Sequence, residues 1–427
     1  MDSILLEDNP HWDRPDAYSQ YIPRKQLSLA LSFMNAKEVI AILGARRVGK
    51  SSLTRLMIQS LLSTTNPRNI FFVNLEKPSF IPYKNDARYL DTIFENYLKI
   101  AEPDMSQRIY LFLDEVQIFS DWEVFVKSRY ENSNIKFIIT GSNSSLLSSS
   151  YATMLTGRVL KLTLETFSFS EFLSFKAIPH TNRMDLARNK IAIKRTLDEY
   201  LKWGGYYSVF SNEDVTLKKE YLKNIAEDII LKDIVPRYSI KNSGAIRDLF
   251  YYIVSNATTT INYASLAKKL SMDPKTVKDY VDYFEDNFLI LRISRHHTKL
   301  TAVINSPKKV YLRDNGFLNL GISPDRNQGA MLENATCNYW HDNTITYLLE
   351  NKECDFYADG KLYQVSYTIL DEKTRKRELD ALEFFMDELN LNEGYLITYD
   401  TDETVKIRDK TIHINRIEEF LLSGEEQ

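Results

Sequence analysis

Short apolar runs alternate with helical patterns through the first 165 residues. The predicted strands cover 39–43, 70–75, 109–113 and 137–140, and the predicted helices cover 53–62 and 91–99. Strands that are apolar on both faces and separated by helices are typical of a parallel sheet with helices on both sides. The pattern therefore predicts that residues 1–165 form an α/β domain.

A helical pattern replaces the alternation after residue 165. Apolar positions recur at helical spacing over 166–240, with an interruption at Gly204-Gly205. Three short helices and a β-hairpin are predicted over 241–313, an order typical of a winged helix. The pattern returns to α/β over 314–427, with helices predicted at 332–349 and 375–388 and strands near 355, near 363 and at 394–398.

The composition is that of a soluble globular protein. Apolar residues make up 44% and charged residues 26% of the 427 positions, and 13 Gly with 12 Pro are too few for a collagen-like or disordered chain. Two cysteines, Cys337 and Cys354, are too few for a disulfide framework. The acidic start does not resemble a signal peptide, and no apolar run reaches the ~20 residues that span a bilayer. We therefore expect a cytoplasmic protein without membrane contact.

The most specific motif follows the first predicted strand. Residues 44–51 read Gly-Ala-Arg-Arg-Val-Gly-Lys-Ser and match the phosphate-loop pattern G-x-x-x-x-G-K-[ST] at every fixed position. In such a loop, backbone N–H groups and a helix N-terminus bind phosphates, the lysine reaches the β- and γ-phosphates and the serine ligates Mg²⁺. ATP and Mg²⁺ are the expected ligands. The predicted nucleotide-binding residues are Gly44, Ala45, Arg46, Arg47, Val48, Gly49, Lys50, Ser51 and Ser52.

A second signal lies at the end of the third predicted strand, where Asp114 and Glu115 follow the apolar run 109–113. Charges at the end of a buried strand are costly unless they pair or serve a metal. Asp114 fits the acid that, together with Ser51, holds Mg²⁺, and Glu115 fits the base that orients the attacking water. The alternative is an acid pair that caps the following helix.

Three further residues are candidates for contact with the phosphates. Thr140 and Asn143 follow the fourth predicted strand, where a polar side chain could sense the γ-phosphate, although ordinary strand-end turn chemistry is an equal alternative. Arg158, in Thr156-Gly157-Arg158, could stabilise charge on the transferred phosphate in its own site or in that of a neighbour. A surface salt bridge is the alternative for this arginine.

Together these motifs resemble the AAA+-type P-loop ATPases of bacteria and archaea that carry an uncharacterised C-terminal domain, near the archaeal-ATPase and STAND branch. The resemblance rests on the phosphate loop, Leu-Asp-Glu-Val-Gln at 113–117, Thr-Gly-Ser-Asn at 140–143 and Thr-Gly-Arg at 156–158. It continues through 167–173, 200–206, 313–316 and 329–334, and so spans most of the chain. Tyr207 departs from the pattern, because many relatives have proline there.

The resemblance implies an α/β fold class with several parts. A P-loop parallel sheet with helices on both faces would cover 1–165, a helical lid 166–240, a winged helix 241–313 and a restriction-endonuclease-like α/β domain 314–427. It also implies that Lys50 and Ser51 bind phosphate and Mg²⁺, that Asp114 binds the metal and that Glu115 activates water. Arg158 would be the arginine of the family's Gly-Arg element.

The net charge averages two opposite regions. The whole chain carries −4, yet the segment 241–313 has 12 Lys and Arg against 6 Asp and Glu. Six of these bases lie in or after the predicted hairpin: Arg292, Arg295, Lys299, Lys308, Lys309 and Arg313. A basic hairpin predicts contact with DNA phosphates, whereas Asp279, Asp282 and Glu285 on the presumed recognition helix would repel them. Packing or protein contact is the alternative.

Restriction-endonuclease-like domains need one acid on a helix, one on a strand and Glu-x-Lys on the next strand. Glu333 and Asp355 fall at the first two positions, but Gln364 and Ser366 stand where the Glu and Lys are required. Gln364 cannot supply the anionic ligand, and Ser366 cannot supply the cation. A degenerate, structural module is therefore expected.

These observations predict an ATP-binding and ATP-hydrolysing switch that engages DNA or a protein partner through residues 241–313. The alternatives are an ATP-gated nuclease that uses Glu333 and Asp355, and a nucleotide-dependent protein scaffold without nucleic acid. Oligomerisation stays open, because Arg158 could act within one copy or between copies.

Overall fold

The computed structural model describes residues 1–86, 88–131, 134–144, 155, 157–321, 328–340 and 345–423. The chain divides after Glu165 into two compact units, Met1–Glu165 and Thr166–Gln427. This division falls where the first α/β segment was predicted to end. No helix in the described ranges is long and apolar enough to cross a membrane.

The first unit is built on a parallel sheet. Its described strands are β1 Val39–Leu43, β2 Ile70–Asn74, β3 Ile109–Asp114, β4 Ile135–Gly141 and β5 Val159–Thr163, in the order β2-β3-β4-β1-β5. Every neighbouring pair is parallel. The described helices are α1 Asp2–Asp8, α2 Gln26–Ser32, α3 Lys50–Leu61, α4 Tyr89–Ala101 and α5 Trp122–Tyr130. The predicted α/β fold class is confirmed.

The strand order of this sheet brings the sequence motifs to one edge. β1 is fully buried between β4 and β5, and β3 lies between β2 and β4. Because the strands are parallel, their carboxyl ends meet at the same edge, which is where ligands bind in such sheets. The phosphate loop, the Asp114-Glu115 pair and the 140–143 segment all begin there. β5 was not predicted, because this edge strand is only partly buried and lacks a continuous apolar run.

The second unit contains a mixed sheet in the order β13-β14-β12-β11-β10-β9-β7-β8-β6. Its described strands are β6 Thr259–Ile261, β7 Ile290–Arg295, β8 Lys308–Leu312, β9 Thr346–Leu349, β10 Glu353–Ala358, β11 Lys361–Ser366, β12 Glu393–Thr398, β13 Glu403–Ile407 and β14 Lys410–Arg416. Its described helices are α6 Phe169–Phe175, α7 Arg183–Arg188, α8 Lys190–Trp203, α9 Tyr207–Phe210, α10 Val215–Asp228, α11 Val235–Arg237, α12 Ser243–Ser255, α13 Tyr263–Leu270, α14 Pro274–Asp286, α15 Leu300–Asn305, α16 Gln328–Cys337, α17 Glu372–Glu388 and α18 Ile417–Ser423. A π-helical turn, Ile229–Ile234, joins α10 to α11.

Three helices and a hairpin follow one another in the predicted order. They are α12, α13 and α14 and then β7 and β8, with the short strand β6 added beside β8. β7 also pairs in parallel with β9, through Ser294 opposite Thr346. One sheet therefore runs from the hairpin into the C-terminal strands.

The helices after residue 166 share a core with the C-terminal segment. Phe169 of α6 and Leu197 of α8 pack with Leu332 of α16, Ile397 of β12 and Phe420 of α18. The boundaries predicted at 240 and 313 stay predictions. They lie inside one compact unit, because this core and the sheet cross them.

One predicted element is wrong. The helix expected over 332–349 ends at Cys337, and Thr346–Leu349 forms strand β9; residues 341–344 lie outside the described ranges. Tyr347 is fully buried, and β9 pairs with both β10 and β7. Pairing with strands distant in the sequence decides this conformation, which local spacing cannot reveal.

The family motifs of the second unit hold its segments together. The Asp314 carboxylate accepts hydrogen bonds from the backbone N–H of Gly205 and of Gly316, both at 2.8 Å. Gly204 has φ 73°, and a Cβ there would lie 1.8 Å from the Asp314 Oδ1. The sequence could identify these residues as a motif but could not separate packing from function. Tyr207 is the first residue of α9, a position that also suits the proline of relatives.

Candidate active site

The phosphate loop leads from β1 into α3 and closes around a lysine. Gly49, directly before α3, has φ 103°, which favours glycine. A Cβ on Gly44 would lie 2.2 Å from the carbonyl oxygen of Leu164. The Lys50 side chain is buried, and its Nζ donates to the carbonyl oxygens of Gly44 at 3.0 Å and Ala45 at 3.1 Å. The loop thereby holds the ammonium group at its centre.

The remaining predicted loop residues occupy distinct surroundings. Ala45 and Val48 are buried, and Arg46 pairs with Glu76 at 2.8 Å. Arg47 is exposed with φ 67°. Ser52 lies in the first turn of α3 beside Ser51. All nine predicted nucleotide-binding residues are therefore contiguous around the start of this helix.

Arg24 supports the loop and was not predicted. Its buried guanidinium donates to the carbonyl oxygens of Val48 and Glu165, both at 2.8 Å. It thereby ties the phosphate loop to the segment after β5. Sequence analysis missed it because Arg24 lies well before the motif and its partners are backbone atoms, which leave no trace in the residue pattern.

Two hydroxyl groups donate hydrogen bonds to Asp114, the first acid of the Asp114-Glu115 pair. Ser51 Oγ donates to Asp114 Oδ2 at 2.6 Å, and Thr140 Oγ1 donates to Asp114 Oδ1 at 2.7 Å. Asp114 is 1% exposed, and burial together with the charge of Glu115 raises its pKa despite these two hydrogen bonds. Hydroxyl and carboxylate oxygens are the protein ligands that Mg²⁺ prefers. The residues present therefore fit the predicted metal.

Glu115 is held from three directions. Its backbone has φ 56°, and its N–H donates to Thr140 Oγ1 at 2.9 Å. Its Oε1 lies 3.2 Å from Lys50 Nζ, and its Oε2 accepts from Gln117 Nε2 at 2.6 Å. Burial works to raise the pKa of Glu115, but Lys50 and Gln117 hold it below its usual value. The side chain is therefore an anion placed beside the phosphate-binding lysine.

Gln117 belongs to the family motif at 113–117, but the sequence assigns it no role. Besides its bond to Glu115, Nε2 donates to Ser142 Oγ at 3.1 Å. Its Oε1 is buried and has no hydrogen-bond partner among the described residues. Thr140 lies in the same cluster, and Asn143 is fully buried two residues after β4, at the same edge of the sheet.

Arg158 lies elsewhere, and its predicted role within its own site is wrong. It immediately precedes β5, and its carbonyl oxygen accepts from the N–H of Val39, the first residue of β1. This is the amino edge of the parallel sheet, opposite the phosphate loop. Its guanidinium instead pairs with Glu131 at 2.7 Å. A role in a neighbouring copy stays a prediction, and Thr156 lies outside the described residues.

The C-terminal carboxylates are assembled around an unpredicted cation. Nζ of Lys309, on β8, lies 3.1 Å from Glu333 Oε1 and 3.1 Å from Asp355 Oδ1, and it also pairs with Glu353. The expectation that the site lacks a cation because of Ser366 is therefore corrected. Lys309 comes from the hairpin, so only the fold could reveal it.

A carboxylate also lies beside Gln364, the residue that stands where the Glu of Glu-x-Lys is required and that cannot itself supply an anionic ligand. Gln364 Nε2 donates to Glu378 Oε2 at 2.8 Å, and Glu378 is 4% exposed. Glu333, Asp355, Gln364 and Glu378 all line a cavity of about 790 Å³. In the part of the chain that the structure describes, no three His, Cys, Asp or Glu side chains form a metal-binding group.

The bases of the hairpin are largely engaged inside the protein. Arg292 pairs with Asp282 at 2.7 Å and with Glu285, and Arg295 pairs with Glu350. Two of the three acids that were expected to repel DNA, Asp282 and Glu285, are thus paired with a base that was expected to bind DNA. Four exposed lysines remain around the turn between α13 and α14: Lys268, Lys269, Lys275 and Lys278.

The chain is similar to two protein families and to proteins of other organisms. Residues 36–173 match the family described as an AAA domain, and residues 194–326 match a domain of unknown function (DUF8612). An uncharacterised protein of Methanocaldococcus jannaschii is 30% identical over 357 residues, which cover 77% of this chain and 80% of the relative. A protein of Haemophilus influenzae is 27% identical over 364 residues, which cover 80% of this chain and 86% of the relative.

Two solved structures show more distant likeness. The Walker-type ATPase of Pyrococcus abyssi has a TM-score of 0.44 at 12% identity and aligns over 71% of this chain and 96% of its own. The Aeropyrum pernix ORC1 protein, solved in complex with DNA, has a TM-score of 0.32 at 10% identity over 73% of this chain and 95% of its own.

Proposed function

Because the chain belongs to a family of AAA-type P-loop ATPases of bacteria and archaea with a C-terminal domain of unknown function, we propose that it binds Mg²⁺–ATP and hydrolyses it. The observation that carries this proposal is the convergence of Lys50, Asp114, Glu115 and Thr140 at one edge of the sheet. These groups come from three separate segments. Their meeting supports a common task.

Each residue has a defined part in the proposed reaction. The backbone N–H groups of 44–51 and the start of α3 bind the phosphates, and Lys50 exchanges its contact with Glu115 for the β- and γ-phosphates. Ser51 and Asp114 would hold Mg²⁺, which supplies positive charge to the phosphate oxygens. Glu115, an anion in the folded protein, accepts the proton of the attacking water.

Two substitutions test the ATPase. Lys50→Ala should abolish ATP binding, and Glu115→Gln should retain bound ATP with little turnover, because the amide cannot take up the proton. Lys99→Ala on the exposed face of α4 is a matched control for the loss of one lysine. Full ATPase activity in Lys50→Ala would show that the site is misassigned.

We further propose that the nucleotide state controls contact between residues 241–313 and DNA. Support comes from the four exposed lysines of α13 and α14 and from the internal pairing of Asp282 and Glu285. DNA binding should differ between ATP-loaded Glu115→Gln and the ADP-bound wild type in a filter-binding or anisotropy assay. Absence of binding in both states at low salt would favour the alternative of a nucleotide-dependent protein scaffold, with a protein partner and no nucleic acid.

A nuclease is the second candidate, and the placement of Lys309 favours it. In metal-dependent nucleases of the restriction-endonuclease-like fold, acids bind the metal ion and a lysine helps to activate water. Here Lys309 lies between Glu333 and Asp355. Incubation of plasmid DNA with Mg²⁺ or Mn²⁺, with and without ATP, tests this activity. A Glu333→Ala variant that still cuts would exclude this site.

A further inference from the structure

Gln117 lies in the proposed ATPase site with its amide nitrogen hydrogen-bonded, while its amide oxygen has no hydrogen-bond partner among the described residues. Glu115 has left-handed backbone geometry, which turns the chain so that the side chains of residues 115 and 117 meet. The two hydrogens on Gln117 Nε2 are donated to Glu115 Oε2 and to Ser142 Oγ. The amide therefore has no further hydrogen to donate.

The orientation of this amide follows from its neighbour. If the nitrogen and oxygen were exchanged, a carbonyl oxygen would face the Glu115 carboxylate across 2.6 Å, and two acceptors would repel each other. Oε1 must therefore point away from Glu115. Within the described ranges this oxygen is buried and accepts no hydrogen bond, an arrangement that proteins normally avoid.

The proposed hydrolysis needs an acceptor of this kind. A water molecule that attacks phosphorus in line must present its lone pair, so both of its O–H bonds need partners on the protein side. Glu115 can accept from one of them. A second acceptor close to Glu115 would fix the rotation of the water about that first hydrogen bond.

We propose that Gln117 is a catalytic residue of the ATPase: Nε2 holds Glu115, and Oε1 accepts a hydrogen bond from the attacking water. The inference rests on the proposed ATPase function. In the step, the water proton passes to the Glu115 carboxylate while the oxygen bonds to the γ-phosphorus. The bond from phosphorus to the β,γ-bridging oxygen breaks, ADP leaves with that electron pair, and Glu115 returns the proton to the released phosphate.

The test compares variants that keep or remove the two functions of the amide. Gln117→Met has a similar length but lacks both the amide donor and the strong carbonyl acceptor, so it should lower kcat by about 100-fold while KM and nucleotide affinity change less than about twofold. Gln117→Asn keeps the amide and should recover part of the loss. Ser142→Ala leaves Oε1 in place and should lower kcat by less than about tenfold.

Gln107→Met, on an exposed glutamine of the same unit, is the matched control and should leave kcat unchanged. Wild-type kcat in Gln117→Met would overturn the inference. The inference would also be overturned if Gln117→Met lowered nucleotide affinity and the melting temperature together with kcat, because such a result would mean that Gln117 only stabilises the fold. A wild type that hydrolyses no ATP would instead refute the proposed ATPase, so the two failures are distinguishable.

Discussion

Thr140 Oγ1 donates a hydrogen bond to Asp114 Oδ1 at 2.7 Å and accepts one from the backbone N–H of Glu115 at 2.9 Å. One hydroxyl group thus fixes both acids of the pair. β4 carries Thr140 and β3 carries Asp114, and these strands are neighbours in the sheet. The relationship gives Thr140 a supporting position behind the proposed metal ligand.

Thr140→Val should therefore weaken Mg²⁺ binding. Valine has the same shape but lacks the hydroxyl. Loss of a hydrogen-bond partner of a metal ligand typically lowers metal affinity by about 10-fold or more. The measurement is a Mg²⁺ titration of ATP hydrolysis and of ATP binding. Thr140→Ser keeps the hydroxyl and serves as the control. An unchanged Mg²⁺ requirement in Thr140→Val would refute this role.

His11 should make the first unit sensitive to acid. It is fully buried, with Nε2 3.0 Å from the carbonyl oxygen of Ile70, and burial lowers its pKa from 6.5 to about 4. Between these values the unfolded chain binds the proton and the native protein does not, so stability falls as the pH falls. The loss should reach about 3 kcal/mol by pH 4.

Urea unfolding followed through Trp12, adjacent to His11 and also buried, measures this dependence. His11→Gln cannot take up the proton, and its unfolding free energy should fall less steeply below pH 6.5. Equal pH slopes for the wild type and His11→Gln would contradict the prediction.

Lys309→Met should destabilise the second unit. Burial acts to lower the pKa of Lys309, but Asp355 and Glu333 raise it above its usual value. Removing the ammonium leaves the buried Asp355 and the partly buried Glu333 without their cation, which typically costs about 3–5 kcal/mol. Differential scanning calorimetry should show a lower transition temperature for this unit.

The double substitution Lys309→Met with Glu333→Gln should recover part of that loss, because it also removes one of the uncompensated charges. Lys406→Met on the exposed face of β13 controls for the change of residue type. A double variant no more stable than Lys309→Met would show that charge compensation is not the cause.

The lysines around the α13–α14 turn should set the salt dependence of any DNA binding. Replacement of Lys268, Lys269, Lys275 and Lys278 by Gln should reduce the slope of log K against log salt by about 0.9 for each phosphate that is no longer neutralised. Replacement of the exposed Lys219 and Lys223 of α10 is the control. DNA binding with an unchanged slope would place the interaction elsewhere.

Much of the first unit could be predicted because its information is local. The strands β1 to β4 are buried on both faces and read as continuous apolar runs. The phosphate loop is a contiguous motif, so its residues needed no knowledge of the fold. Asp114 and Glu115 were found because two acids directly after an apolar strand are costly unless they have a task.

Two of the groups that sequence reasoning missed, Arg24 and Lys309, act across long separations in the sequence. Arg24 contacts backbone oxygens of Val48 and Glu165, and Lys309 meets acids from α16 and β10. Such contacts leave no periodic signal. Charge counting failed for a related reason, because Arg292 is neutralised by Asp282 and Glu285 of the preceding helix.

The sequence by itself determined the class of the first unit and the identity of its phosphate loop, because strand burial and loop chemistry are written in consecutive residues. Only the tertiary structure decided which polar groups meet. The parallel sheet brings Thr140 to Asp114 and removes Arg158 to the opposite edge. The pairing of β7 with β9 joins the hairpin to the C-terminal strands. Lys309 of β8 thereby comes within ion-pair distance of Asp355 on β10. These outcomes depend on strand order and register, which long-range packing sets.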